Sequence, residues 1–204
     1  MPTPYKYLGV AAIFAATSVF AQPVIDTALF PKPRQVLMLD VNGNGQLDRL
    51  SITPLNSTFD VLTYDNGPPP DFWDESAFIV PINLTDSDSL VAGQNGTFTL
   101  NWGCFACGRY HSHEALTLRL QEKKIHVIGY DYHYADRFYA AVMSCSVNFL
   151  TGDAIVTADD VETITLTTAE RALPLSEYAF ETTPEACKAL DQFDDAFLKK
   201  HFDH

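Results

Sequence analysis

From Gln35 to Thr167 the chain falls into short apolar or alternating runs, each closed by a turn signal. That rhythm restricts it to an all-β body. The runs are Gln35–Leu39, Leu47–Thr53, Phe59–Tyr64, Ala77–Ile82, Thr97–Trp102, Ala115–Leu120, Lys124–Tyr130, Ala141–Phe149, Ala154–Thr157 and Val161–Thr167. In Leu47–Thr53 the set Leu47, Arg49, Ser51 alternates with Asp48, Leu50, Ile52, as a half-buried strand requires. Asn66-Gly67-Pro68-Pro69-Pro70 is a hard stop, and Leu150-Thr151-Gly152-Asp153 reads as a hairpin turn. Roughly ten short strands predict a mainly β fold, with antiparallel strands in a sandwich or a small propeller-like array. The last segment changes period. Thr183 can cap a helix with Pro184 in its first position, and Ala186, Leu190, Phe193 and Phe197 form an amphipathic stripe. One C-terminal α-helix over about 184–200, docked on the sheet, is the expectation. Nothing divides residues 22–204, so they read as a single β domain.

The first 21 residues read as an address. A polar start with Lys6 leads into the apolar run Leu8–Phe20, and Val19-Phe20-Ala21 permits a cut after Ala21. This is the three-part pattern of a cleavable signal peptide, which predicts a periplasmic or secreted protein. The run is about 13 residues, short of the roughly 20 that span a bilayer, and no later segment qualifies as a membrane span. Export makes Cys104, Cys107, Cys145 and Cys187 an even set in an oxidising compartment, with three possible pairings; Cys187 is placed to reach Cys145 on a strand. The chain carries 13 Lys+Arg against 26 Asp+Glu, for a net charge of −13. Such a balance excludes nucleic acid and anionic lipid as partners and suits a basic partner or a metal.

Asp40-Val41-Asn42-Gly43-Asn44-Gly45-Gln46-Leu47-Asp48 has the form D-x-N-x-N-G-x-x-D. Oxygen-bearing side chains recur at Asp40, Asn42, Asn44 and Asp48, Gln46 offers its carbonyl, and Gly45 allows a sharp turn. A hard cation such as Ca²⁺ takes six to eight oxygens, so these residues predict a structural calcium loop. Position 12 is Ser51 rather than Glu, and strand-like runs flank the loop, so it is not an EF-hand. Few carboxylates predict weak affinity, toward ~10⁻⁴ M. The competing reading is a metal-free Asn-Gly turn.

With its flanking strands, Gln35–Ile52 resembles the FG-GAP or VCBS-type calcium loops of secreted β proteins. Ile128-Gly129-Tyr130-Asp131 through Asp136-Arg137, followed by Ser146–Gly152, is similar to a pattern in exported bacterial proteins that also carry an upstream calcium loop. Some secreted β proteins with such loops are periplasmic inhibitors or immunity proteins against peptidoglycan hydrolases. The resemblance therefore implies a non-catalytic binding protein that blocks a lysozyme-like enzyme. Acidity agrees, because a basic enzyme would be steered toward it. The aromatic stretch supplies the candidate contact residues Tyr130, Tyr132, His133, Tyr134, Arg137 and Tyr139.

Gly103–His113 does not fit that pattern. Cys104, Cys107, His111 and His113 have the form Cys-x₂-Cys-x₃-His-x-His, which admits zinc, a redox pair or a structural disulfide. A metal-dependent hydrolase built on this segment, and a purely structural envelope protein, are the alternatives to the inhibitor reading. No nucleophile elbow, His-Glu-x-x-His or phosphate loop occurs in the sequence.

Overall fold

The computed structural model describes residues 32–56, 59–65, 77–80, 89–104, 108–138, 140–158 and 162–190. The first 31 residues with the expected signal peptide, Cys107, Tyr139 and the chain from 191 onward lie outside the described residues. Twelve described strands form two antiparallel sheets. β1 (Gln35–Leu39), β2 (Asp48–Pro54), β3 (Asp60–Asp65) and β4 (Ala77–Val80) make the first, in chain order. The second holds β5 (Leu90–Ala92), β6 (Phe98–Cys104), β7 (Tyr110–Gln121), β8 (Lys124–Asp136), β9 (Ala141–Asn148), β10 (Asp153–Ala158) and β11 (Glu162–Thr167), also in chain order. A short β12 (Leu173–Pro174) pairs with the start of β8. Each neighbour in the second sheet is thus the next strand in the chain, so almost every pairing is closed by a short turn rather than a crossover.

One continuous core joins the sheets. Leu50, Ile52, Leu62 and Val80 from the first meet Phe98, Leu100, Leu116, Leu118 and Val127 from the second, all fully buried. This is the sandwich outcome of the sequence pattern, because each sheet has an apolar face to cover. The edges also meet. The Gln35 side chain at the start of β1 donates through Nε2 to the Leu90 carbonyl at 2.7 Å. Its Oε1 accepts the Leu90 N–H at 2.7 Å. A single amide therefore plays the part of a neighbouring strand for β5.

β7 and β8 are far longer than their apolar centres predicted, 12 and 13 residues. Their ladder runs from Gln121↔Lys124 to Tyr110↔Asp136, with a register shift between Thr117 and Leu118. The tight turn between them places Glu122 at φ 50° and Lys123 at φ 67°. Such left-handed values usually call for Asn or Gly, which is why this turn carries no sequence signal. The register shift leaves Ile128 of β8 without an opposite residue on β7, a β-bulge that adds twist at the middle of the long hairpin.

The expected C-terminal helix is different in its described part. Glu185–Ala189 is a 3₁₀ turn, with Pro184 at φ −52° as the flanking residue and no side-chain cap. Residues 191–200 of the expected span, with Phe193 and Phe197, lie outside the described residues. The docking itself is as expected: Cys145 of β9 and Cys187 form a disulfide. Among the described residues no helix is long and apolar enough to cross a membrane.

Candidate functional site

Two places hold the residues that the sequence singles out. The first is the β1–β2 connection. Asp48 opens β2, and its carboxylate turns inward, 1% exposed. Its Oδ2 accepts the backbone N–H of Val41 at 2.8 Å and of Asn42 at 3.3 Å, while Oδ1 accepts Asn42 Nδ2 at 3.1 Å. Asp40 wraps the other side: Oδ1 accepts the N–H of Gly43 at 2.7 Å and Asn44 at 3.1 Å, and Oδ2 accepts that of Gly45 at 2.8 Å. Asn42 Oδ1 takes the Asn44 N–H at 3.0 Å, and Asn44 Oδ1 takes the Gln46 N–H at 2.7 Å. The alternating Asx residues thus each serve the backbone two or more residues on, which is why this composition turns so tightly. Gly96 of the β5–β6 turn packs against it; a Cβ there would lie 2.9 Å from the Val41 carbonyl oxygen.

The structure brings Asp40, Asn42, Asn44 and Asp48 onto one turn, with Gln46 exposed at its tip. As donors, two carboxylates and two amide oxygens are the right kind for a hard cation. Here those oxygens also hold the loop's own amides, and each sp² oxygen has two acceptor sites to divide between such roles. Among the described residues no three His, Cys, Asp or Glu side chains gather as a metal cluster.

The second place is the inner face of the long sheet. Strand alternation splits the candidate contact residues. Tyr130, Tyr132 and Tyr134 point to the core side, whereas His133 lies exposed on the opposite face, where it pairs across the ladder with His113. Arg137 sits exposed in the β8–β9 turn. Asp136, 5% exposed, is held by Arg109, whose Nε donates to both carboxylate oxygens at 3.0 and 2.8 Å. The Asp136 Oδ1 also accepts the Phe138 N–H at 2.8 Å.

Over the three tyrosines runs the segment that follows β12. At one end Phe180 meets Trp102 of β6 edge-on at 6.2 Å and Tyr178 at 5.3 Å. At the other, Cys187 is bonded to Cys145 of β9. The strap so pinned straddles β7 and β8 and encloses a cleft of about 730 Å³. Its floor is Tyr130, Tyr132, Tyr134 and Met143, and Glu181, Thr182, Thr183, Lys188 and Leu190 form the strap side. Glu114 of β7 enters the floor, where its Oε2 accepts the Tyr130 hydroxyl at 3.0 Å. Burial first, and the Glu114 charge second, push the Tyr130 phenol well above its usual value. The same two causes in the same order raise Tyr178.

Sequence reading missed Glu114, Glu181 and Lys188. A signal existed for the first: Glu114 shares parity with Leu116, Leu118 and Leu120, so a strand that buries those leucines carries the carboxylate inward. The strap residues had none, because their place depends on the disulfide. The zinc reading of Gly103–His113 loses the Cys104 thiolate, since Cys104 is disulfide-bonded, and Cys107 lies outside the described residues. His111 and His113 are adjacent same-face positions on β7. No protein-family model, curated protein or solved structure matches the chain.

Proposed function

We propose that the mature protein is an exported, non-catalytic binding domain that blocks a basic cell-wall hydrolase. The observation that carries this reading is the acidic, aromatic-floored cleft on a chain of net charge −13. Tyrosine-rich concavities supply large contact area at low entropy cost, and an acidic surface speeds encounter with a basic enzyme. The Cys145–Cys187 disulfide agrees with an oxidising compartment. The test is capture and inhibition. Mature protein mixed with a panel of basic muramidases and amidases is expected to form a complex near 1:1 with one of them and suppress its activity. Association should slow as salt rises. A panel left fully active and uncaptured would end the reading.

Calcium belongs to the same proposal as a structural ion in the Asp40–Asp48 turn. With a dissociation constant of ~10⁻⁴ M, 1 mM Ca²⁺ would stabilise by about 1.4 kcal/mol and raise the melting temperature by roughly 3–6 °C. Asp40→Ala is expected to abolish that rise. Identical melting curves in calcium, magnesium and chelator would show that the turn holds itself by its Asx bonds alone.

A further inference from the structure

Glu114 stands out among the buried and half-buried carboxylates. Asp48 holds backbone amides, and Asp136 holds Arg109. Asp60 lies beside Arg34 at 4.0 Å. Glu114 faces rings instead: Trp102 and Tyr132 flank it in the ladder, and Tyr130 donates to it. Among the described residues it takes part in no ion pair. A carboxylate in an aromatic cleft loses water without gaining a counter-charge, and a cation arriving there recovers that loss. Ring faces add attraction for the same cation. The second cleft carboxylate, Glu181, has the same sign, while Lys188, the one cation lining the cleft among the described residues, is paired with Glu185. At about 730 Å³ the cleft exceeds a lone ammonium and fits a long side chain with part of its backbone.

We propose that the cleft receives a lysine or arginine side chain of the partner protein, with Glu114 as counter-charge and Tyr132 and Tyr134 as aromatic walls. This rests on the partner-binding reading and gives it a point of contact. The strap's two fixed ends make the receptor pre-formed, so little ordering accompanies binding.

The probes are N-acetyl-lysine amide and N-acetyl-arginine amide, with N-acetyl-glutamine amide as the neutral control, titrated into the mature protein and followed by amide NMR shifts. Saturable shifts at Tyr132, Tyr134 and Met143 are expected for the two cations and not for the control. Glu114→Gln keeps an acceptor for the Tyr130 hydroxyl and should weaken both about tenfold. Thr183→Lys, on the exposed strap side, adds a resident cation without disturbing the floor and should likewise weaken them about tenfold, which keeps the test open if Glu114→Gln misfolds. Equal response to all three probes, or cation binding indifferent to both variants, would overturn the assignment. So would putrescine binding tenfold tighter than the blocked amino acids, which points to a free metabolite. Cation binding that fails while hydrolase capture persists removes this contact but leaves the function; cation binding without capture does the reverse.

Discussion

Replacing Cys145 and Cys187 together by alanine is expected to lower the unfolding free energy by about 4 kcal/mol. The bridge spans 42 residues, and a loop of that length restricts the unfolded chain by about that amount in the chain-entropy account. Alanine is the right replacement because both cysteines are 1% exposed, and a serine hydroxyl there would need a partner. The effect should concentrate on the strap. Without the bridge, the bonds that remain to residues 181–190 include the backbone bonds of their turns, the Lys188–Glu185 ion pair within the strap, and the Glu185 N–H to Glu170 Oε2 at 3.1 Å. Amide exchange over Thr182–Leu190 should therefore rise more than over β7 and β8. Urea unfolding of the double variant beside the wild type reads the energy. A difference under about 1 kcal/mol would show that the strap is held by packing instead. Simple reduction is a poorer test, since Cys104 is also bonded and would be released at the same time.

The second large effect is alkaline. Burial, then the Asp48 charge, pushes the Tyr64 phenol up, as burial and Glu114 do for Tyr130. In the unfolded chain both ionise near pH 10. The folded pKa is the higher one, so the stabilisation is complete below pH 10 and is lost as pH climbs above it. Each group costs about 1.4 kcal/mol per pH unit in that window, so the two together cost about 3 kcal/mol per unit. Both side chains are 3% exposed, so solvent screening takes little away. Urea midpoints at pH 9, 10 and 11 should fall steeply across the last interval. Ultraviolet titration should show a class of tyrosines that ionise only with unfolding. Midpoints unchanged from pH 9 to 11, with all tyrosines titrating near pH 10, would refute the assignment.

The strand rhythm was readable wherever alternation and turn chemistry coincided, as at Leu150–Asp153 between β9 and β10. It failed at the two ends of the long hairpin. Tyr110–Glu114 and Asp131–Asp136 alternate between rings, histidines and acids, so neither parity reads as apolar, and Glu122-Lys123 lacks any turn residue. Both stretches therefore fall outside the strands that the sequence pattern marks. The structure makes them one ladder, and parity divides them between a cleft and an open face. The Asp40–Asp48 turn was legible because its function is local: each Asx side chain serves a backbone group nearby. The cleft was not, because its second wall is 42 residues away in sequence from the cysteine that fixes it.

The bond between Gln35 and Leu90 has a consequence for how molecules of this protein meet one another. An edge strand offers its free N–H and C=O groups to any passing chain, and repeated pairing of that kind builds fibrils. Gln35 spends both hydrogen-bonding ends of its amide on Leu90, so the start of the β5 edge is already occupied by the protein's own side chain. Where many copies are crowded side by side, one glutamine thus withholds the Leu90 position of that edge from a neighbouring copy.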